Sequence, residues 1–141
     1  MNIRLAGAAE AAILAALDAA SAFSAHWDTA GWQGELAQPA SQVWCAEVNG
    51  QIAGFIAFRG VDGQYEITNL VVDPGFRRGG IGLQLVQHAL EKIASGDVTL
   101  EVHSQNVPAI SLYEKAGFVR RGVRKQFYKD GADAQLMGKH L

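Results

Sequence analysis

The sequence predicts a single mixed α/β domain: an antiparallel meander, a strand-helix-strand crossover, and a closing helix and hairpin. Three observations carry this expectation. The chain has 141 residues of which 49% are hydrophobic, enough for one core and too few for two domains, so residues 1–141 are expected to fold as one unit. Asn49-Gly50 separates two apolar runs, Gln42 to Val48 and Gln51 to Arg59, and this dipeptide supplies the positive φ that a tight hairpin turn demands at both central positions. Between a strand ending at Val72 and another beginning at Val98, the positions Ile81, Leu85, Val86, Ala89, Leu90 and Ile93 share one helical face, which is the pattern of a crossover helix.

The elements follow in order. Met1 to Leu5 reads as a short strand. The Ala-rich run Ala6 to Ala25 reads as a helix with Ile13, Leu14 and Leu17 on one face, because Ala costs little entropy in a helix. Thr29 to Gln38 is a second helix closed by Pro39. After the hairpin, Val61 to Gln64 is a turn and Tyr65 to Val72 the third meander strand, stopped by Asp73-Pro74-Gly75. The crossover helix ends at Gly96-Asp97. Val98 to Val102 is a strand, Val107 to Ala116 a short helix stopped by Gly117, and Phe118 to Val123 and Ala134 to Lys139 the last two strands.

Composition narrows the function. Twelve Lys/Arg against fourteen Asp/Glu give a net charge of −2, which argues against a polyanion binder and against direct nucleic-acid binding. Glu10 and Asp18 interrupt the Ala-rich run, so no membrane span or secretory core is expected. The lone Cys45 excludes an internal disulfide, and His26, His88, His103 and His140 lack zinc-ligand spacing. A cytoplasmic, metal-free protein is the expectation, monomeric or homodimeric. Cys45 reads as a small core residue, the three tryptophans as core or groove wall, and Arg120, Arg121, Arg124, Lys125 and Lys129 as a solvated basic face.

The loop Arg77-Arg78-Gly79-Gly80-Ile81-Gly82 joins a strand to a helix, where unpaired N–H groups and the helix dipole favour a phosphate. A P-loop would continue with Lys-Ser/Thr, and here Leu83-Gln84 follows. A dinucleotide fingerprint would have its third glycine at Leu85 and a parallel array before it. Neither fits.

The stretch Leu70-Val71-Val72-Asp73-Pro74-Gly75-Phe76-Arg77-Arg78-Gly79-Gly80-Ile81-Gly82 resembles the acetyl-CoA motif of the GNAT N-acetyltransferase superfamily, Q/R-x-x-G-x-G/A, through Arg77, Gly80 and Gly82. Leu100 to Phe118 resembles the family's second half, N-x-x-A…L-Y-x-x-x-G-F, through Asn106, Ala109, Leu112, Tyr113, Gly117 and Phe118. Within the superfamily the chain is most similar to bacterial ribosomal-protein-alanine N-acetyltransferases, through Leu100-Glu101-Val102, Arg124-Lys125-Gln126-Phe127-Tyr128 and Asp133-Ala134 before Met137. It departs from them at His103, where an Arg is usual, at Pro108, and at Phe127, which replaces the first of two tyrosines.

The resemblance implies a GNAT-like fold: a mixed central sheet of antiparallel meander, splayed parallel pair and C-terminal hairpin, flanked by helices. It implies acetyl-CoA as co-substrate and an amine acceptor, either a protein N-terminus or a small amine. Backbone groups of Leu70, Val71 and Val72 would hold the pantetheine arm, with an N–H near Leu70 polarising the thioester. Arg77 and the amides of Arg78, Gly79, Gly80, Ile81, Gly82 and Leu83 would hold the pyrophosphate, and Asn106 would contact the coenzyme besides capping its helix. Tyr113 would be the general acid. Transfer needs a neutral amine, so a base is required. Glu101 holds that position in the ribosomal-protein-alanine subgroup and Glu66 in histone acetyltransferases; His103, on the face of Glu101, is a third option. A non-catalytic acyl-CoA-binding module is the reading from a different class.

Overall fold

The computed structural model describes residues 1–77 and 79–141. Seven strands form one sheet: β1 (Asn2–Leu5), β2 (Ser41–Val48), β3 (Gln51–Val61), β4 (Gln64–Val72), β5 (Asp97–His103), β6 (Val119–Arg124) and β7 (Ala134–His140). Their order is β1-β2-β3-β4-β5-β7-β6. Among the described residues only the β4/β5 pair is parallel; the other pairs are antiparallel. The α-helices among the described residues are α1 (Ala11–Ala19), α2 (Thr29–Ala37), α3 (Ile81–Ile93) and α4 (Val107–Lys115).

Alternation along β3 shows how the helices are distributed. Ile56 and Phe58 join the core built with Leu85 and Val86 of α3 and Ile110 of α4. Phe55 and Ala57 join a second core with Leu14 of α1 and Trp32 of α2. The central strand is covered on both faces, which explains its unbroken apolar run. At the β2–β3 turn Asn49 and Gly50 have φ of 50° and 77°, the left-handed pair expected of this dipeptide. Cys45 is buried in the second core, where loss of hydration pushes its thiol up to about 12.

The Ala-rich run departs from expectation. A 3₁₀ turn at Ala8–Glu10 leads into a helix that ends at Ala19 instead of continuing to Ala25. Leu14 is fully buried, whereas Ile13 is 48% exposed. Buried Asp18 is the reason for the early stop. Its carboxylate accepts the N–H of His26 at 2.8 Å, the N–H of Trp27 at 2.8 Å and the indole N–H of Trp32 at 3.1 Å. These bonds fold residues 20–28 back over the helix end, and helical continuation would direct those donors elsewhere.

Candidate active site

β4 and β5 are paired only at Gln64–Asp97, Tyr65–Val98 and Glu66–Thr99. Beyond that rung β5 stays on β7 along its length, and β4 bends away. The bend coincides with a bulge: Ala57 faces Asn69 and Phe58 faces Ile67, leaving Thr68 as the extra residue. From Ile67 to Val72, β4 therefore has no strand partner on its β5 side among the described residues. A free strand edge is a row of backbone donors and acceptors awaiting a ligand.

A cleft of about 300 Å³ opens there, and its walls bring together Glu66, Leu70, Glu101, His103, Asn106 and Tyr113. Glu66 and Glu101 face it from the two strands that part. Arg124 Nη2 lies 2.9 Å from Glu101 Oε1, with the Glu101 side chain 25% exposed. Tyr113 is 6% exposed, its ring set edge-on to Phe118 at 5.6 Å. Burial pushes its phenol well above the ordinary tyrosine range, so the group stays protonated at neutral pH. Asn106 caps α4, its Oδ1 accepting the Ala109 N–H at 3.3 Å, which leaves its amide N–H₂ for another partner.

His103, the third option for the base, is buried at the end of β5. It is 6% exposed, and the Gln105 N–H donates to its Nδ1 at 3.1 Å. The ring proton therefore sits on Nε2 and is donated to Asp130 Oδ2 at 2.8 Å. Both ring nitrogens are engaged, so His103 has no free lone pair with which to take a proton from an amine. It lies between Phe23 and Tyr128, with ring centroids at 4.8 and 4.7 Å.

The glycine segment lies past the end of β4, outside the walls of this cleft. Asp73 turns the chain by accepting the Gly75 N–H, and Arg77 Nε donates to Val72 O at 3.4 Å. Arg78 lies outside the described residues. Gly80 has φ +76°, and a Cβ there would meet nothing within 4 Å; the left-handed turn faces open space, as a phosphate cradle requires. The first intrahelical bond of α3 runs from Gln84 N to Gly80 O, so the N–H groups of Ile81, Gly82 and Leu83 have no partner within the helix. Gly82 lies close to α4: a Cβ there would come 2.8 Å from Leu112 Cδ1, the movable end of a side chain. Free edge and bare helix start together fit a long ligand whose extended arm ends in a diphosphate.

Other wall residues were not among the site residues expected from the sequence, although Trp27 reads there as core or groove wall and Phe127 and Tyr128 stand in the subgroup motif. Phe23, Ser24 and Trp27 come from the α1–α2 connector, Arg59 from β3, and Asn69 from the bulge. Phe127 and Tyr128 come from the β6–β7 connector. The expected basic face is largely neutralised: Arg121 binds Asp97 through two bonds, Arg124 meets Glu101, and Lys125 meets Asp133. No helix among the described residues is long and apolar enough to cross a membrane, and no three of their His, Cys, Asp or Glu side chains are grouped to hold a metal ion.

Residues 8–118 match the model of the Acetyltransferase (GNAT) family. The N-alpha-acetyltransferase RimI of Mycobacterium tuberculosis is 34% identical over 116 residues, covering 79% of this chain and 73% of that protein. The crystal structure of a ribosomal-protein-alanine N-acetyltransferase from Brucella melitensis superposes with a TM-score of 0.83 at 26% identity, covering 100% of both chains. The yncA protein of Salmonella typhimurium, solved with its cofactor acetyl-CoA, shares the fold with a TM-score of 0.82 at 22% identity, covering 100% of this chain and 94% of that one. Motif, splayed strands and helix start agree with these likenesses, and the chain belongs to the GNAT family as an acetyl-CoA-dependent N-acetyltransferase.

Proposed function

We propose that this protein acetylates the α-amine of a protein N-terminus, of the ribosomal-protein-alanine type, with Glu101 as general base and Tyr113 as general acid. The observation that carries the reading is their convergence on one cleft at the free edge of β4. The names of the Mycobacterium and Brucella relatives support the acceptor class. Cytoplasmic action on a newly made protein accords with it.

The free edge at Leu70, Val71 and Val72 holds the pantetheine arm of acetyl-CoA, and the amides from Gly79 to Leu83 hold its diphosphate, with Arg77 alongside and Asn106 donating from the start of α4. The acceptor enters between the two connectors. An α-amine has a pKa of about 7.7 to 8.0 against about 10.4 for lysine, so a carboxylate base needs to remove far less protonation from it. Glu101 takes the amine proton, directly or through one water, as the nitrogen bonds to the thioester carbon. The Leu70 N–H stabilises the negative charge that develops on the carbonyl oxygen. As the carbon–sulfur bond breaks, Tyr113 gives its proton to the departing thiolate. Its dry surroundings keep it protonated for that task.

The test is an acetylation assay with acetyl-CoA and a set of acceptors: peptides beginning with alanine, peptides with a blocked N-terminus and an internal lysine, and small polyamines. Preferential release of thiol with the free N-terminal peptides is expected. Preference for polyamines would replace this reading with small-amine acetylation. Binding of acetyl-CoA without any transfer would make the protein a binding module.

Two variants probe the coenzyme side. Acetyl-CoA in excess is expected to raise the melting temperature where NAD does not, since a ligand that binds only the native state stabilises it. Gly80→Glu is expected to abolish that rise, because it sets a carboxylate against the diphosphate and strains a φ of +76°. A rise with NAD would contradict the coenzyme assignment. Tyr113→Phe removes only a hydroxyl and keeps the ring against Phe118. A fall in kcat of at least about tenfold is expected, with acetyl-CoA affinity changed by less than about tenfold. Normal turnover in this variant would show that only the packing of the ring matters.

A further inference from the structure

The cleft is one of two cavities that meet at Glu66 and Glu101. A second, of about 240 Å³, is lined by Arg121, Arg124, Leu136 and Met137, and its walls share with the first only Glu66 and Glu101. The two carboxylates thus stand at the partition. Glu101 is held across that partition from the far side: Arg124, projecting from β6 into the second cavity, meets Glu101 Oε1 at 2.9 Å. Glu66 has no cation within ion-pair distance among the described residues. The Arg124 side chain, 55% exposed, has a second contact that favours this orientation: its Cζ lies 5.0 Å from the centroid of the Phe127 ring.

We infer that Arg124 is a positioning residue for the base: it fixes one oxygen of Glu101 from behind so that the other faces the acceptor amine. The inference rests on Glu101 being the base. Its physical content is rotamer restriction. A glutamate on a strand has three side-chain torsions, and a 25% exposed carboxylate without a partner would sample orientations that take it out of the cleft. An Arg whose orientation is favoured by an aromatic face reduces that freedom, and it occupies a single oxygen. Proton transfer demands that the other lie within hydrogen-bond reach of the amine or its water, and displacement by about 1 Å costs on the order of 10²-fold. The cation has a second effect on the acceptor. A neighbouring positive charge disfavours the ammonium form of an entering amine, which is the unreactive form. The guanidinium thus orients the base and opposes the protonated acceptor from the same position.

The other charged groups around the base come from different elements and do not duplicate this contact. Glu66 approaches from β4 with the same sign of charge. His103, next on the same face of β5, is bonded to Asp130. Arg121, the other cation in the second cavity, is taken by Asp97 at 2.7 and 2.9 Å. The Tyr128 phenol is held above its ordinary range by burial, then by Glu101 and Asp130, so it adds no charge at neutral pH.

The experiment is a double-mutant cycle read as kcat and KM with an alanine-initiated peptide and acetyl-CoA. Arg124→Gln in the otherwise native protein is expected to lower kcat by about 10- to 10²-fold, with KM for acetyl-CoA unchanged and Arg124→Lys restoring part of the loss. In a Glu101→Gln background the same Arg124→Gln change is expected to alter kcat by less than about twofold, because a residue that acts only through the base has nothing left to position. Equal losses in both backgrounds would overturn the proposal, since Arg124 would then act on the acceptor or the fold. An Arg124→Gln variant with native kcat, beside a Glu101→Gln variant that is crippled, would also overturn it while leaving Glu101 as the base. A Glu101→Gln variant with native kcat would reject the assignment of the base itself, a separate result.

Discussion

Glu101→Gln is expected to lower kcat by about 10²- to 10⁴-fold, the range commonly lost with a general base, while acetyl-CoA affinity stays near the native value. The amide is nearly isosteric with the carboxylate and keeps an oxygen facing Arg124, so the side chain loses chiefly the capacity to take a proton. Stability should change little, because the pair lies at a partly exposed position where such contacts contribute about 1 kcal/mol or less. Glu66→Gln serves as the control. It borders the same cleft, lies on the last paired rung of β4, and should keep most of the activity. Stopped-flow or single-turnover measurement with saturating acetyl-CoA separates the chemical step from binding. If Glu66→Gln is the crippled variant and Glu101→Gln is not, the proton leaves by way of β4, and the arrangement is that of histone acetyltransferases.

What could be read from the sequence is what depends on near neighbours. Asn49-Gly50 specifies its own turn, and the apolar face from Ile81 to Ile93 specifies its own helix. Glu101 and Tyr113 were legible as site residues because each stands in a motif of near neighbours in the chain. The parts not read are set by partners distant in sequence. The ion pair of Glu101 spans 23 residues to Arg124, and the bond from His103 spans 27 to Asp130, so a histidine that reads as a third option for the base is a buried strut. The bulge at Thr68, which starts the divergence of β4 from β5, is fixed by the register against β3, and across it the residues packed on the α3 side shift from Tyr65 and Ile67 to Leu70 and Val72. The Ala-rich segment shows the same limit from the other side. Helix propensity favours continuing past Ala19, and three tertiary hydrogen bonds to one carboxylate override it.

That carboxylate supplies the second large expected effect. Asp18 is fully buried, with Oδ1 accepting from His26 N and Oδ2 from both Trp27 N and the Trp32 indole. Asp18→Ala would leave three donors without a partner in a site closed to water, at about 1 to 3 kcal/mol for each one that stays buried. Because the connector can open to hydrate some of them, a net loss of about 3 to 5 kcal/mol is expected. At this chain length that corresponds to a fall in melting temperature on the order of 10 °C. Asp18→Asn should lose less, since its amide oxygen can still serve the two donors at Oδ2 while its N–H₂ opposes the His26 N–H. The effect should reach function by way of the connector, because Phe23, Ser24 and Trp27 form a wall of the cleft and Ser24 Oγ also donates to the Asp18 carbonyl at 2.8 Å. Below its melting temperature, Asp18→Asn should therefore raise KM for the acceptor peptide more than KM for acetyl-CoA, whose proposed contacts lie on β4 and α3. Thermal denaturation within about 1 kcal/mol of native for Asp18→Ala would show that the connector does not depend on this carboxylate, and equal KM changes for the two substrates in Asp18→Asn would separate the connector from acceptor binding.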